Sequence, residues 1–264
     1  MKTRVISGLI MVPLLILVYL GGYFILAASI LVGMLGVKEF YNGFENVGIK
    51  PCHFIGRIAA ISLAAIGCVA PERAGFIMLW LAFFVIISLI YMFKIEEREM
   101  ADSMATITGI MYVVFFAYHV FLVDITMHNI VWIIFITAFG SDIFAYFTGY
   151  FFGKHKLAPV LSPKKTIEGA VGGVVGSALC STIFGLLVMP DMLIHCIILG
   201  IICSPISMAG DLTASAFKRK MGIKDYGNLI PGHGGIMDRF DSVLFVAPAV
   251  FCYVHFYEHF INVM

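Results

Sequence analysis

The chain has 264 residues, 61% of them apolar and only 12% charged, whereas an average soluble domain is about 45–50% apolar and about 25% charged. Together with a mean hydropathy of +1.00, these values exclude an ordinary soluble protein, a disordered chain and a fibrous repeat. The formal net charge of +1, from 17 Lys and Arg against 16 Asp and Glu, creates no field that would draw nucleic acid, and no nucleic-acid partner is expected.

Apolar runs recur from Val5 to Phe256. At about 20 residues per crossing they predict an all-α, polytopic integral membrane protein with about nine transmembrane helices. The helices fall near residues 5–21, 23–41, 54–70, 75–93, 104–123, 130–151, 168–189, 191–217 and 241–260. Gly21-Gly22, Lys50-Pro51, Pro71-Glu72-Arg73, the charged run 94–99, His128-Asn129, the Lys-rich segment 153–166, Pro190-Asp191 and the polar segment 218–239 separate them. Lys2 and Arg4 ahead of the first run imitate a signal peptide, but the run continues past Gly21-Gly22 without a cleavage site, so an uncleaved first span is expected.

Lys and Arg should collect on alternate, cytoplasmic connections. With the N-terminus cytoplasmic, 16 of the 17 fall on that side and Arg73 alone on the other. An odd number of spans and a C-terminus outside follow. The six cysteines are scattered without a CxxC pair, which argues for small apolar packing groups and against a disulfide framework or zinc site. No internal repeat is visible, so residues 1–264 read as one integral membrane domain whose information is concentrated after about residue 140.

Ionisable groups within spans are expensive and point to function. Asp142 in the sixth span lies 12 residues before Lys154, roughly 18 Å from the cytoplasmic end at about 1.5 Å per residue. Asp211 in the eighth span lies seven residues before Lys218, roughly 10 Å by the same rise. Both could face a polar cavity, and Asp142 could instead make a helix–helix hydrogen bond that only fixes packing.

Residues 211–241 form the densest polar stretch, with Asp211, Ser215, Lys218, Arg219, Lys220, Lys224, Asp225, His233, Gly234, Gly235, Asp238, Arg239 and Asp241. Asp238 and Asp241, three apart, share one face of a helix start and could reach a hard divalent cation together with Asp211. Mg²⁺ takes one or two carboxylates plus phosphate oxygens and water. Lys218, Arg219, Lys224 and Arg239 would then hold phosphates, which the 231–235 glycine run lets the backbone approach closely. The plainer alternative is a positive-inside loop whose acids only neutralise its bases.

Before the seventh span, Ser162, Lys164, Lys165 and Thr166 precede Glu168-Gly169 and make an anion cradle at a helix N-terminus, unless Thr166 simply caps that helix. The two polar elements lie on the same predicted membrane face, where a lipid headgroup would arrive laterally. His255-x-x-Glu258-His259 matches one zinc-peptidase pattern, but it falls at the outer end of the last span and reads as interfacial polarity. Gly169, Gly172, Gly173 and Gly176 read as close helix packing, the aromatic stretch 144–152 as packing and interface anchoring, and His119 and His195 as structural.

The run Ser215-x-x-Lys218-Arg219-x4-Lys224-Asp225, followed by Pro231-x-His233-Gly234-Gly235-x-x-Asp238-Arg239-x-Asp241, resembles the signature of the phosphatidate cytidylyltransferases, also called CDP-diacylglycerol synthases. The segments around Ser162–Gly169 and Asp142-x-x-Ala145-Tyr146-x-x-Gly149 resemble other characteristic segments of that family. Motif support spans roughly residues 140–242, within a catalytic transmembrane region 131–264; residues 1–130 agree only as hydrophobic spans.

The resemblance implies a Mg²⁺-dependent reaction at the cytoplasmic face of the cell (inner) membrane, with CTP and phosphatidate giving CDP-diacylglycerol and pyrophosphate. It also implies a homodimer in the lipid bilayer. Placed on this sequence, Asp211 and Asp238 would be the main metal ligands, with Asp241 supporting, for one or two cations. Lys218, Arg219, Lys224 and Arg239 would hold the triphosphate or departing pyrophosphate, and Ser162, Lys164, Lys165 and Thr166 the phosphate of one substrate. Ser215, His233, Gly234 and Gly235 would complete the substrate site, with Asp142 either behind it or in a polar cavity. Two rivals are a CTP-using lipid kinase, against which the complete signature argues, and a transporter, against which the absent inverted repeat and the one-sided polar cluster argue.

Overall fold

The computed structural model describes residues 15–71, 73–229 and 234–263, with side chains described to residue 259. The structure is almost wholly helical, because an apolar chain in lipid must satisfy its backbone N–H and C=O groups within each segment. The principal helices are α1 (Tyr23–Glu45), α2 (His53–Val69), α3 (Ala74–Ile90), α4 (Met100–Gly109) and α5 (Phe116–Thr126). They continue with α6 (Val131–Phe152), α7 (Ile167–Val188), α8 (Leu193–Lys220) and α9 (Met237–Val263). A π-helical stretch, Ile110–Phe115, joins α4 to α5, so Met100–Thr126 crosses as one 27-residue rod.

Among the described residues, seven helical rods are long and apolar enough to cross a membrane, and α2 is a shorter apolar helix of 17 residues. The expected first span, 5–21, lies largely outside the described residues, with residues 15–20 helical. The other eight expected spans each coincide with a helix, within about four residues at their ends. The protein is a multi-pass helical membrane protein.

Two compact units interleave along the chain: residues up to Ile125 with Lys220–Phe240, and Thr126–Arg219 with Asp241 onward. In the first, tight approach of small and aromatic residues sets the packing. A Cβ on Gly56 would lie 2.7 Å from the Tyr41 ring, and the Tyr41 hydroxyl donates to the Thr106 carbonyl at 2.7 Å. Carboxylates then hold backbone at the turns. Gly21 and Gly22 take positive φ (67° and 54°), and the Gly22 N–H donates to Asp124 Oδ2 at 2.6 Å. The Lys50 N–H likewise donates to Asp102 Oδ1 at 2.6 Å.

In the second unit, α6, α7 and α8 meet through small residues, as the Gly169/Gly173 spacing predicts. A Cβ on Gly173 would lie 3.0 Å from the Ser141 carbonyl oxygen, and one on Gly169 would lie 3.3 Å from Gly149 Cα. Ser141 and Ser204 hydroxyls hydrogen-bond at 2.8 Å, and Ser177 Oγ donates to the Gly200 carbonyl at 2.9 Å. Such contacts, rather than hydrophobic burial, hold helices together in lipid. Between α6 and α7 the chain forms an antiparallel hairpin, β1 (Lys156–Ala158) and β2 (Ser162–Thr166), pairing Lys156 with Thr166 and Ala158 with Ser162.

Candidate active site

The Lys-rich 153–166 segment is not a plain loop but a short antiparallel hairpin between α6 and α7. Thr166 closes it by capping α7, its Oγ1 accepting from the Gly169 N–H at 3.1 Å. Glu168 fastens the other side: its carboxylate accepts from the Lys154 N–H at 3.1 Å and contacts His155 Nδ1 at 2.6 Å. The capping role weighed for Thr166 is therefore present, and the same residue also lines the cavity that the hairpin borders.

That cavity measures about 560 Å³ and is lined by Asp142, Tyr146, Tyr150, Lys156, Lys164, Lys165, Thr166 and Asp211, among others. Its size is in the range of small-molecule sites. Lys165 forms an ion pair with Asp211, and both side chains keep about a quarter of their surface exposed (24% and 28%), so the pair is reachable from the cavity. Asp142 lies within electrostatic reach of both Asp211 and Lys165. α9 joins them because Gly210 lets it come close: a Cβ there would lie 2.7 Å from the Asp241 carbonyl oxygen. Asp241, almost fully buried, is within electrostatic reach of Asp211, Asp142 and Lys218.

The second unit thus gathers Asp142, Asp211, Asp241, Lys165 and Lys218 in one neighbourhood. Carboxylates within electrostatic reach repel one another, and neighbouring cations offset that repulsion. Lys165 does so for Asp211 directly. Ser215 Oγ, one turn beyond, donates to Asp211 Oδ1 over a long 3.4 Å. Asp142 lines the cavity, as the polar-cavity expectation has it. Its position is settled by contacts between helices that the spacing along α6 does not encode.

Asp238 opens α9 and organises the loop before it: its Oδ2 accepts from the Tyr226 N–H at 2.8 Å and the Gly235 N–H at 3.0 Å. Gly234 takes a positive φ of 80°, a conformation that suits glycine. Arg219 and Lys224 are exposed, while Lys218 and Arg239 are partly covered. Ser162 and Lys164 are on β2, with Lys164 facing the cavity. His233 lies outside the described residues, as do Pro231 and Gly232. Lys156 of the basic loop and Tyr150 of the aromatic stretch also line the cavity, beside Tyr146 of the Asp142-x-x-Ala145-Tyr146 segment. Their signal, side chains near the C-terminal end of α6 and on a short strand, becomes informative only once the hairpin is known.

Could the site hold the divalent cation that the resemblance implies? Carboxylate and hydroxyl oxygens from Asp211, Asp241, Asp142 and Ser215 are the hard donors that Mg²⁺ prefers. Among the described residues, no three His, Cys, Asp or Glu side chains form a ready-made metal cage. Mg²⁺ takes few protein carboxylates and completes its shell with phosphate oxygens and water. The donor set fits.

Comparison with known proteins gives the chemistry a family. A model described as the cytidylyltransferase family matches residues 2–257. Phosphatidate cytidylyltransferase of Staphylococcus haemolyticus is 34% identical over 257 residues, covering 93% of this chain and 94% of that protein. The protein of the same name from Bacillus subtilis is 30% identical over 262 residues, covering 95% and 96%. That from Synechocystis is 33% identical over 286 residues, covering 95% of each. The chain belongs to the cytidylyltransferase family, as a nucleotidyltransferase carried on a multi-pass helical membrane fold.

Proposed function

We propose that this protein is a phosphatidate cytidylyltransferase that condenses CTP with phosphatidate to give CDP-diacylglycerol and pyrophosphate. A phosphatidate oxygen attacks the α-phosphorus of CTP, one new P–O bond forms, and the bond from the α-phosphorus to its bridging oxygen breaks as pyrophosphate departs. The attacking oxygen is already anionic, so the reaction needs alignment and charge neutralisation more than a strong base.

Family membership supports the reaction, and the observation that carries the site is the Lys165–Asp211 pair at the wall of a cavity also lined by Lys156 and Lys164. Lysines there draw in the polyphosphate and offset the charge that shifts onto the leaving pyrophosphate. Asp211, Asp238 and Asp241 would hold one or two Mg²⁺ ions. When bound, that cation neutralises phosphate oxygens and lowers the repulsion between two polyanionic substrates. Lys218, Arg219, Lys224 and Arg239 are assigned to the triphosphate, and Ser162, Lys164, Lys165 and Thr166 to a substrate phosphate. Ser215, Gly234, Gly235 and His233 complete the binding surface. Asp142 adds negative charge within electrostatic reach of Lys165 and lines the same cavity.

The one-sided distribution of Lys and Arg supports an active site facing the cytoplasm of a bacterial-type inner membrane. Homodimerisation belongs to the same reading and is tested by the protein mass in lipid nanodiscs. The activity itself is tested with purified protein in phosphatidate mixed micelles containing Mg²⁺. Cytidine-diphosphate lipid and pyrophosphate, abolished in Asp211→Asn, are expected. Free CDP with a newly phosphorylated lipid would make the protein a kinase, and no CTP consumption by folded protein would remove the reading.

A further inference from the structure

Nothing in the sequence of α1 attaches it to the chemistry, yet one of its faces carries the loop that leads into α9. Gly36, Glu39, Phe40 and Gly43 recur at three- and four-residue steps, so they share one side of the helix. Each meets the segment after α8. A Cβ on Gly36 would lie 3.3 Å from Met237 Sδ, and one on Gly43 would lie 3.3 Å from Ile223 Cδ1. Phe40 sets its ring 6.0 Å from that of Tyr226. Between them is Glu39, a carboxylate with only 9% of its surface exposed.

Glu39 Oε2 accepts the Met237 backbone N–H at 3.0 Å. That N–H belongs to the first turn of α9, where helical donors lack intrahelical partners and where negative charge is favoured. The fit is close on the loop side too. A Cβ on Gly227 would come within 2.6 Å of Glu39 Oε1, and one on Gly235 within 2.6 Å of the same atom. Glycine at both positions is what lets the carboxylate in. The neighbouring Asp238 carboxylate binds the Tyr226 and Gly235 N–H groups of the same loop. Two carboxylates therefore brace one short segment, Glu39 from α1 and Asp238 from α9 itself.

We propose that Glu39 is a positioning residue for the transferase: it fixes the start of α9, and with it the direction in which Asp238 and Arg239 are presented, without touching substrate. The assignment of Asp238 and Arg239 to substrate rests on the function proposed above, whereas the brace itself does not. It gives the amino-terminal spans a role in catalysis beyond membrane anchoring. An amide in place of the carboxylate keeps an acceptor oxygen and nearly the same volume, so Glu39→Gln retains most of the brace. Glu39→Ala removes the acceptor and leaves a void against two glycines.

The test uses full-length protein in mixed micelles and reads steady-state kinetics alongside amide hydrogen exchange. In Glu39→Ala, kcat is expected to fall by about tenfold or more, with KM for CTP and for phosphatidate changed by less than about threefold. Exchange at the Tyr226, Gly235 and Met237 amides should quicken while α6–α8 keeps its protection. Glu39→Gln should recover most of both effects, and Gly235→Ala, which drives a methyl into the carboxylate, should reproduce the faster exchange. Unchanged exchange at those three amides in Glu39→Ala would overturn the proposal, as would faster exchange throughout the protein or a loss of kcat that Glu39→Gln does not recover. If the wild-type protein makes no cytidine-diphosphate lipid, the functional reading fails, and the exchange data still decide whether Glu39 braces the loop.

Discussion

The two compact units use acidic side chains in opposite ways. Around the cavity, the carboxylates of Asp142, Asp211 and Asp241 face one another and the side-chain cations of Lys165 and Lys218. In the amino-terminal unit, Glu39, Asp102 and Asp124 each take a backbone N–H. A carboxylate bonded to the backbone is committed, because leaving that donor unsatisfied in an apolar setting costs about 1–3 kcal/mol. A carboxylate balanced by a lysine at a cavity wall can exchange that partner for an arriving cation, which leaves the lysine to meet a phosphate. The same residue type is thus a fastener in one region and a reagent in the other, and the partner decides which.

The largest expected effect tests the reagent side. Asp211→Asn should lower kcat/KM by about 10³-fold or more, as losing a charge-stabilising group in a dry site does, while the melting temperature stays level or rises because carboxylate repulsion is relieved. A large fall in melting temperature with unchanged activity would reverse the comparison. Lys165→Ala comes next, with an expected loss of about 10²-fold and a raised KM for CTP. Lys165→Arg should recover part of it, and full activity in Lys165→Ala would remove this lysine from the site.

The fastener side should answer in stability. Asp102→Ala frees the Lys50 N–H and one half of the capping arrangement at the start of α4, so it should cost about 1–3 kcal/mol with kcat within about twofold of wild type. Thermal unfolding in detergent measures this, and a kcat collapse at unchanged stability would contradict it. The smallest effect is expected at Thr166, which belongs to both classes. Thr166→Ser keeps the cap hydroxyl and should be nearly silent, whereas Thr166→Ala should lose about 1 kcal/mol and loosen the hairpin enough to raise KM, seen by comparing the two variants at saturating and limiting CTP.

Much of the fold was legible because lipid imposes one rule, about 20 apolar residues per crossing, and Gly, Pro and charge pairs mark the turns. Eight of the expected spans therefore fall on observed helices. The hairpin was not legible: Lys156–Ala158 and Ser162–Thr166 are too short and too polar to show alternation. Within the site, Asp142 and Asp211 stand out as ionisable groups in apolar spans, Asp241 as a carboxylate of the polar 211–241 stretch, and Lys165 as part of a basic cradle. Their pairing depends on Gly210 and on the serine contacts among α6, α7 and α8, which act between segments far apart in sequence. Glu39 was invisible for a different reason. Beside Lys38 near a predicted membrane boundary, it looks like half of an ordinary interfacial charge pair, and only the Met237 N–H reveals what it holds.

The central claim is that the cavity bordered by Lys165 and Asp211 transfers a cytidylyl group to a lipid phosphate. The direct measurement follows the label from CTP carrying ³²P at the α position, and in a parallel reaction at the γ position, with phosphatidate and Mg²⁺ in mixed micelles, for wild type and Asp211→Asn. The account predicts α-label in the lipid fraction and γ-label in pyrophosphate, in equal amounts, with both signals lost in the variant. γ-label in the lipid, or α-label transfer that survives Asp211→Asn undiminished, would contradict it.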